Sequence, residues 1–400
     1  MEQIKKWIAT EEEIAEGKTT DVYFVRTKQC LDKDNLSDTK VWTEVTTGGI
    51  PREGKQFLFL GLYDVLNLFS KANLDVNVYS IKEGTILPNN DVNGVRIPFL
   101  IVEGMYGDFA IYETPMLGYL CFQSGVGTAA TRLRIAAQDK TLLSFGIRRM
   151  PPEIAPTIDR ACYIAGFDGI SCVLSADKLG IPATGTVPHA LIMIEGGITQ
   201  AVQSFDRHID SDISRVALAD TFNDERVEVL QALEALGDKL SGIRLDTPSS
   251  RKGSFKDIVQ EIKWELKLRG REDIKIFLSG GLTEDTVKEY RSFADGFGVG
   301  TFVSNSPTVD FAFDIVEIEG KSIAKRGKFA GKKQVGFCNQ CQIYLCEEFH
   351  KSAIKCPSCA KPMDKMIDLV MERGKILNAI PTELELRDYV KKQLNGKLEI

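Results

Sequence analysis

Five of the nine cysteines crowd into one short stretch: Cys338, Cys341, Cys346, Cys356 and Cys359. Cys338-Asn-Gln-Cys341 and Cys356-Pro-Ser-Cys359 are two CxxC pairs separated by 14 residues. Each pair can turn tightly and present two thiolates to one ion. Two such turns make a tetrahedral sulfur cage suited to Zn2+. A cage closed by four protein ligands leaves no open position, so zinc there is structural rather than catalytic. The spacer is slightly shorter than the commonest zinc-ribbon spacing, and Cys346 or His350 within it could replace a ligand. The alternative is free thiols in a small core. Cys30, Cys121, Cys162 and Cys172 stand singly. An odd, clustered set fits a reducing compartment with one local metal site better than a disulfide framework.

A second group of candidates follows short apolar runs. Gly146-Ile-Arg148-Arg149 follows TLLSF, Thr186 and His189 follow IPATG, and Asp220-Thr221 follows VALA. Asp246-Thr247-Pro248 follows GIRL, Ser279-Gly280-Gly281 follows IKIFL, and Gly300-Thr301 follows GFGV. Polar, charged or glycine residues at the same end of successive strands are what an active site on a β/α barrel requires. The SGGL and GVGT turns can bring backbone N–H groups close to an oxyanion, and a following helix N-terminus adds a favourable dipole. The alternative for these glycines is tight turns alone. Arg244 and Asp246 are two residues apart, so both face one side of a strand. There an acid can hold ribose hydroxyls or Mg2+ and an arginine can hold phosphate or carboxylate; the alternative is an internal ion pair. His189, one of three histidines, can accept a phosphoryl group or act as acid and base near phosphates.

These residues need a scaffold, and the 400-residue chain is long enough for two or three domains at ~150 residues each. Strand candidates lie at Thr141–Phe145, Gly169–Leu174, Ile181–Gly185, Val216–Ala219, Gly242–Leu245, Ile274–Leu278 and Gly296–Val299. Helical periodicity separates several of them, at 225–236, 255–267 and 285–293. The repeated β–α pattern predicts a parallel sheet, here an incomplete β/α (TIM-like) barrel over 120–309. An N-terminal α+β domain is expected over 1–119, completed by 310–333. A small zinc-ribbon-like module and a charged tail are expected over 334–400.

Lys plus Arg number 50 against 56 Asp plus Glu, a net charge of −6. A mildly acidic chain is a poor non-specific binder of nucleic acid or anionic membrane. No apolar stretch approaches the ~18 residues of a membrane span, and the N-terminal stretch has acidic residues and no apolar signal core. The expectation is a soluble cytoplasmic protein with neither partner.

In order and spacing, several segments resemble nicotinate phosphoribosyltransferase, most closely the archaeal form with a C-terminal zinc module. They are TTDVYFVRT at 19–27, EGTIL at 83–87, YETPMLGYL at 112–120, SFGIRR at 144–149, GTVPHALI at 185–192, IRLDTPSSRKG at 243–253, SGGL at 279–282 and GFGVGT at 296–301. The resemblance implies transfer of ribose phosphate from phosphoribosyl pyrophosphate to nicotinate, giving nicotinate mononucleotide and pyrophosphate, in NAD salvage. It implies Mg2+ on the pyrophosphate, and ATP that phosphorylates His189 to drive product formation. By matching motif, Thr186 and Arg244 contact nicotinate, Phe145 faces one side of its ring, and Tyr23 from a second subunit of a homodimer faces the other. Gly280, Gly281, Gly298, Gly300 and Thr301 fit the phosphate cradle, Asp246 the ribose and Arg148 an anion. Lys325, Arg326 and Lys328 would reach the pyrophosphate. Ser171 matches the position that is acidic in nicotinamide-using relatives, and a serine favours the acid substrate over the amide. The alternatives are a quinolinate or nicotinamide phosphoribosyltransferase, or a non-catalytic zinc-ribbon interaction protein.

Overall fold

The computed structural model describes residues 7–247, 254–395 and 400. The basic SSRKG stretch at 249–253 lies outside them. The chain forms two compact units. One is built on Val126–Ser306; the other joins the residues up to Gly125 with Pro307–Gln393 and Ile400.

The Val126–Ser306 unit holds six strands: β1 (Thr141–Ser144), β2 (Gly169–Ile170), β3 (Arg215–Leu218), β4 (Leu240–Leu245), β5 (Lys275–Leu278) and β6 (Gly296–Val299). Their order is β2-β1-β6-β5-β4-β3, and every pairing is parallel. This is an α/β half-barrel, an open sheet whose strands all end on one side. Helices cover the sheet because their apolar stripes need burial. Phe255, Val259, Ile262 and Leu266 form the buried face of the helix Phe255–Leu268, whose N-terminus is capped by Ser254. Val229, Ala232 and Leu236 do the same for Glu225–Leu236, where Asp224 accepts the Val227 N–H at 2.9 Å.

Two strand expectations are corrected. Gly169–Leu174 is a strand only at Gly169–Ile170, and a helix runs over Val173–Leu179. Ile181–Gly185 is not a strand. Pro182 has no N–H to give a ladder, and the segment 181–188 keeps one bond to each flanking strand. Thr184 N–H reaches Ile170 O at 2.7 Å, and Val187 N–H reaches Val216 O at 3.4 Å. Gly169 allows this approach: a Cβ there would lie 2.6 Å from Thr184 Oγ1.

The other unit carries a seven-stranded antiparallel sheet in the order Lys321–Ser322, Phe311–Ile318, Lys40–Thr47, Leu100–Met105, Asn77–Ser80, Asp368–Glu372, Lys375–Ile376. Its core gathers Trp42, Phe57, Phe59, Phe69, Phe99 and Phe109. The cysteine-rich stretch has its own three-stranded sheet of Lys333–Cys338, Ile343–Glu348 and Asp364–Lys365. Its small core is Cys338, Leu345, Ile354, Cys356 and Met363. The expected charged tail is a docked helix over Glu383–Leu394. Tyr389 hydroxyl meets Thr85 Oγ1 at 3.1 Å, and Gln393 Oε1 accepts the Ile86 N–H at 2.9 Å. Among the described residues, no helix is long and apolar enough to cross a membrane.

Candidate active site

Because the strands are parallel, the residues that follow them collect along one rim of the half-barrel. Arg244 lies on β4, and Asp246 follows it by two residues, so both side chains reach the same face. Arg244 Nη1 donates to Thr186 Oγ1 at 2.8 Å, and its Nη2 lies 3.4 Å from Asp246 Oδ2. Its guanidinium sits over the Phe145 ring, 5.6 Å from the centroid. Asp246 Oδ1 accepts from Ser279 Oγ at 2.8 Å.

His189 opens the short helix His189–Glu195 immediately after Pro188. Its Nδ1 is 2.9 Å from Thr221 Oγ1. Its Nε2 faces two carboxylates, Asp220 Oδ1 at 3.7 Å and Asp246 Oδ2 at 3.9 Å. Burial pushes the Asp220 carboxyl up to about 6; the neighbouring His189 opposes the shift and the Asp246 charge adds to it. Two acids facing Nε2 favour a proton on that nitrogen, leaving the Nδ1 lone pair toward the Thr221 hydroxyl.

The glycines are explained by close approach. A Cβ on Gly298 would lie 2.4 Å from the Phe145 ring, so the ring rests on β6 where no side chain stands. Gly280 and Gly281 turn with φ of 88° and 66°, in the left-handed region. A Cβ on Gly280 would come within 3.0 Å of Asp246 Oδ1. Gly300 leads into Thr301–Ser304, and a Cβ on it would sit 3.2 Å from Phe145 O. A cavity of about 460 Å3 runs along the inner face of the sheet, from the strand starts at Thr141 and Lys275 up to Phe145, Thr186 and Arg244.

The comparisons bear on this geometry. Residues 126–314 match the C-terminal domain of quinolinate phosphoribosyl transferase, and residues 21–124 match its N-terminal domain. The structure is similar to that of a nicotinate-nucleotide pyrophosphorylase from Pyrococcus furiosus. The two are 46% identical, with 98% of each chain covered and a TM-score of 0.93. The chain belongs to the quinolinate–nicotinate phosphoribosyltransferase family. Human nicotinic acid phosphoribosyltransferase shares the family fold at 18% identity, over 94% of this chain and 93% of that one, with a TM-score of 0.76. A nicotinate phosphoribosyltransferase of Mycobacterium tuberculosis is 28% identical over 279 residues, covering 66% of this chain. The chain spans 61% of that relative's length. The Bacillus subtilis enzyme of that name is 25% identical over 339 residues, 75% of this chain and 66% of its own.

Within the family frame, the half-barrel unit brings together Phe145, Thr186, His189, Arg244, Asp246, Gly280 and Gly298. Ser171 Oγ donates to Ser144 O at 2.9 Å. Asp168, three residues earlier, is engaged elsewhere, with Arg134 Nη1 at 2.9 Å. Arg148 is exposed in the turn Ile147–Arg149, and Thr301 is exposed at its helix start. Tyr23 belongs to the other unit, where it is exposed on the helix Val22–Lys33 beside Phe24. Lys325 and Lys328 do not stand free for pyrophosphate. Both ammonium groups lie 2.5 Å from the buried Asp314 carboxylate.

Sequence reading assigned no role to Asp220 or Thr221, although both stand where the polar rim was expected. Their contacts with His189 depend on how the loop folds, and no motif announces them.

The sulfurs of Cys338, Cys341, Cys356 and Cys359 lie within 4.8 Å of one another, with Cys338 and Cys359 3.7 Å apart. A zinc tetrahedron with ~2.3 Å Zn–S bonds has edges of about 3.8 Å, so the group fits that ion. Cys346 and His350 are not in the cluster. Cys346 N–H reaches Asp91 Oδ2 at 2.8 Å, and the His350 ring packs edge-on against Phe349.

Proposed function

We propose that the chain is a nicotinate phosphoribosyltransferase of NAD salvage. The carrying observation is the cluster of Thr186, His189, Arg244 and Asp246 beside a cavity large enough for a pyridine carboxylate. Arg244, held by Thr186 and lying over Phe145, takes the nicotinate carboxylate. Asp246 holds the ribose hydroxyls, and the turns at Gly280–Gly281 and Gly300–Thr301 take phosphate. The C1′–O bond to pyrophosphate breaks as the pyridine nitrogen lone pair forms the N–C1′ bond. No proton needs to move, so the residues act by positioning and electrostatics. Mg2+ would neutralise the leaving pyrophosphate, with Asp246 the carboxylate on the rim to share in holding it.

ATP coupling runs through His189. As the Thr221 hydroxyl turns from it, the Nδ1 lone pair attacks the γ-phosphorus, the P–O bond to ADP breaks, and the proton stays on Nε2, where Asp220 and Asp246 stabilise the positive ring. The same carboxylates repel a phosphoryl group from the Nε2 side. Structural zinc in the four-cysteine cluster, a homodimer that supplies Tyr23, and a division into 1–119 with 310–333, 120–309 and 334–400 belong to the same reading.

A quinolinate reading is favoured by the matched domain descriptions. Arg244 and Lys275 both line the cavity. However, Lys275 pairs with Gly242, two residues back along the sheet from Arg244, and one arginine suffices for a monocarboxylate. The test is product mass from phosphoribosyl pyrophosphate and Mg2+ with nicotinate, nicotinamide and quinolinate in parallel, each with and without ATP. Nicotinate mononucleotide from nicotinate alone, increased by ATP, is expected. Product from quinolinate only would replace the substrate, and no product from any pyridine would remove the enzymatic reading.

A further inference from the structure

The loop that presents Asp220 and Thr221 to His189 is organised around one internal carboxylate. Glu228 is buried on the helix Glu225–Leu236. Its Oε2 accepts the N–H groups of Asp220 and Thr221, both at 2.8 Å. Its Oε1 accepts those of Phe222 at 2.7 Å and Asn223 at 3.0 Å. Four consecutive backbone donors converge on two oxygens. Such a concavity ordinarily binds an anion, and here the chain supplies the anion itself. The carboxylate's four lone-pair directions are all used.

We infer that Glu228 is a positioning residue for His189, which it fixes through the loop 220–223 and not by contact. With those four amides pinned, Thr221 Oγ1 is held 2.9 Å from Nδ1 and Asp220 Oδ1 3.7 Å from Nε2. Together the two partners choose the tautomer. Thr221 can donate to a bare Nδ1, and the carboxylate keeps the proton on Nε2. A glutamine in place of Glu228 would turn an NH2 toward two of the loop's N–H donors, donor against donor, and release one half of the loop. The internal carboxylate also excludes phosphate from this strand end, which leaves the glycine turns after β5 and β6 for the substrate's phosphates. The inference rests on the reading of His189 as the group that ATP phosphorylates.

The test uses the full chain and its three histidines, so the imidazole 15N spectrum contains His189, with His208 and His350 as internal references. Wild type is expected to show the His189 proton on Nε2. In Glu228→Gln, the His189 shifts should move toward a tautomer mixture while the other two stay. Labelling of His189 by γ-32P-ATP should fall about 100-fold, the scale of a small misplacement of reacting groups, and ATP-free product formation should fall far less. Thr221→Val should reproduce the tautomer change with the four loop bonds intact. Unchanged His189 shifts and labelling in a folded Glu228→Gln chain would overturn the inference. If that variant does not fold, amide exchange in wild type decides. Protection of all four amides of 220–223 together with a changed tautomer in Thr221→Val supports the inference, and free exchange of those amides overturns it. A wild type that exchanges product normally but is never phosphorylated would end the ATP reading, while the tautomer data would still decide the role of Glu228.

Discussion

The loop after β3 and the turn after β5 leave the same end of the sheet, and they are shaped by different means. After β3, residues 220–223 are ordinary L-residues whose amides are gathered by Glu228. After β5, Gly280 and Gly281 adopt left-handed φ, and their shape needs no side chain to hold it. One loop carries its own anion and presents side chains to a histidine. The other has no Cβ at the point where it passes Asp246 and can present backbone to a ligand. Similar strand ends thus present side chains in one case and bare backbone in the other.

The difference can be broken from either side. The largest effect is expected from Gly280→Val. A β-branched residue at φ 88°, with its Cβ 3.0 Å from Asp246 Oδ1, must displace the turn or the acid. Steady-state kinetics should show kcat/KM for phosphoribosyl pyrophosphate lowered about 100-fold or more, while phosphorylation of His189 by ATP, which keeps Asp220 and Thr221, falls far less. Loss of both activities together would mean that the two loops form one site with no division of labour. His189→Ala is the reciprocal change. Stimulation by ATP should vanish and turnover should drop to the ATP-free level, with the circular dichroism spectrum unchanged. ATP stimulation that persisted would remove the histidine from the coupling.

A smaller effect separates charge from shape in the β3 loop. The Asp220 carboxyl, raised to about 6 by burial, titrates above an ordinary aspartate at about 3.9. Between those values the folded chain holds more protons than the unfolded one, so stability falls as pH rises from about 4 to about 6. Asp220→Asn should therefore raise the melting temperature at pH 7.5, by an amount worth up to about 3 kcal/mol, and the gain should fade toward pH 4. A gain that did not change with pH would mean that the charge is not what strains the loop. The smallest effect on either loop is expected from Cys356→Ser. That variant should release zinc by elemental analysis and lower the melting temperature, yet leave the ratio of ATP-dependent to ATP-free turnover unaltered.

Much of the rim was legible because strands of a parallel sheet read as short apolar runs, and the residue after each run is forced to the same side. Arg244, Asp246 and the glycine turns follow from that rule, and their spacing carried the family resemblance. Glu228 was not legible. In sequence it is an acid on an amphipathic helix, indistinguishable from Glu225 or Glu234, and its four partners meet it only through the turn of the loop. Ile181–Gly185 has strand composition, but Pro182 interrupts the ladder. Asp368–Glu372 lies beyond the cysteine stretch, and its pairing with Asn77–Ser80 spans about three quarters of the chain, a non-local choice that local pattern does not encode. Lys325 and Lys328 looked like free cations because Asp314, which holds both, reads as one more polar position in an alternating strand.

The proline-interrupted segment 181–188 has a consequence for how the protein behaves at high concentration. An open parallel sheet exposes two unsatisfied edges, each a template on which another molecule's strand could grow into aggregate. Here β2 offers Ile170 O to Thr184, and β3 offers Val216 O to Val187. A single irregular segment thus blunts both edges, and its proline has no amide with which to extend the ladder. The gap in the half-barrel is in this sense a guard against self-association through strand addition.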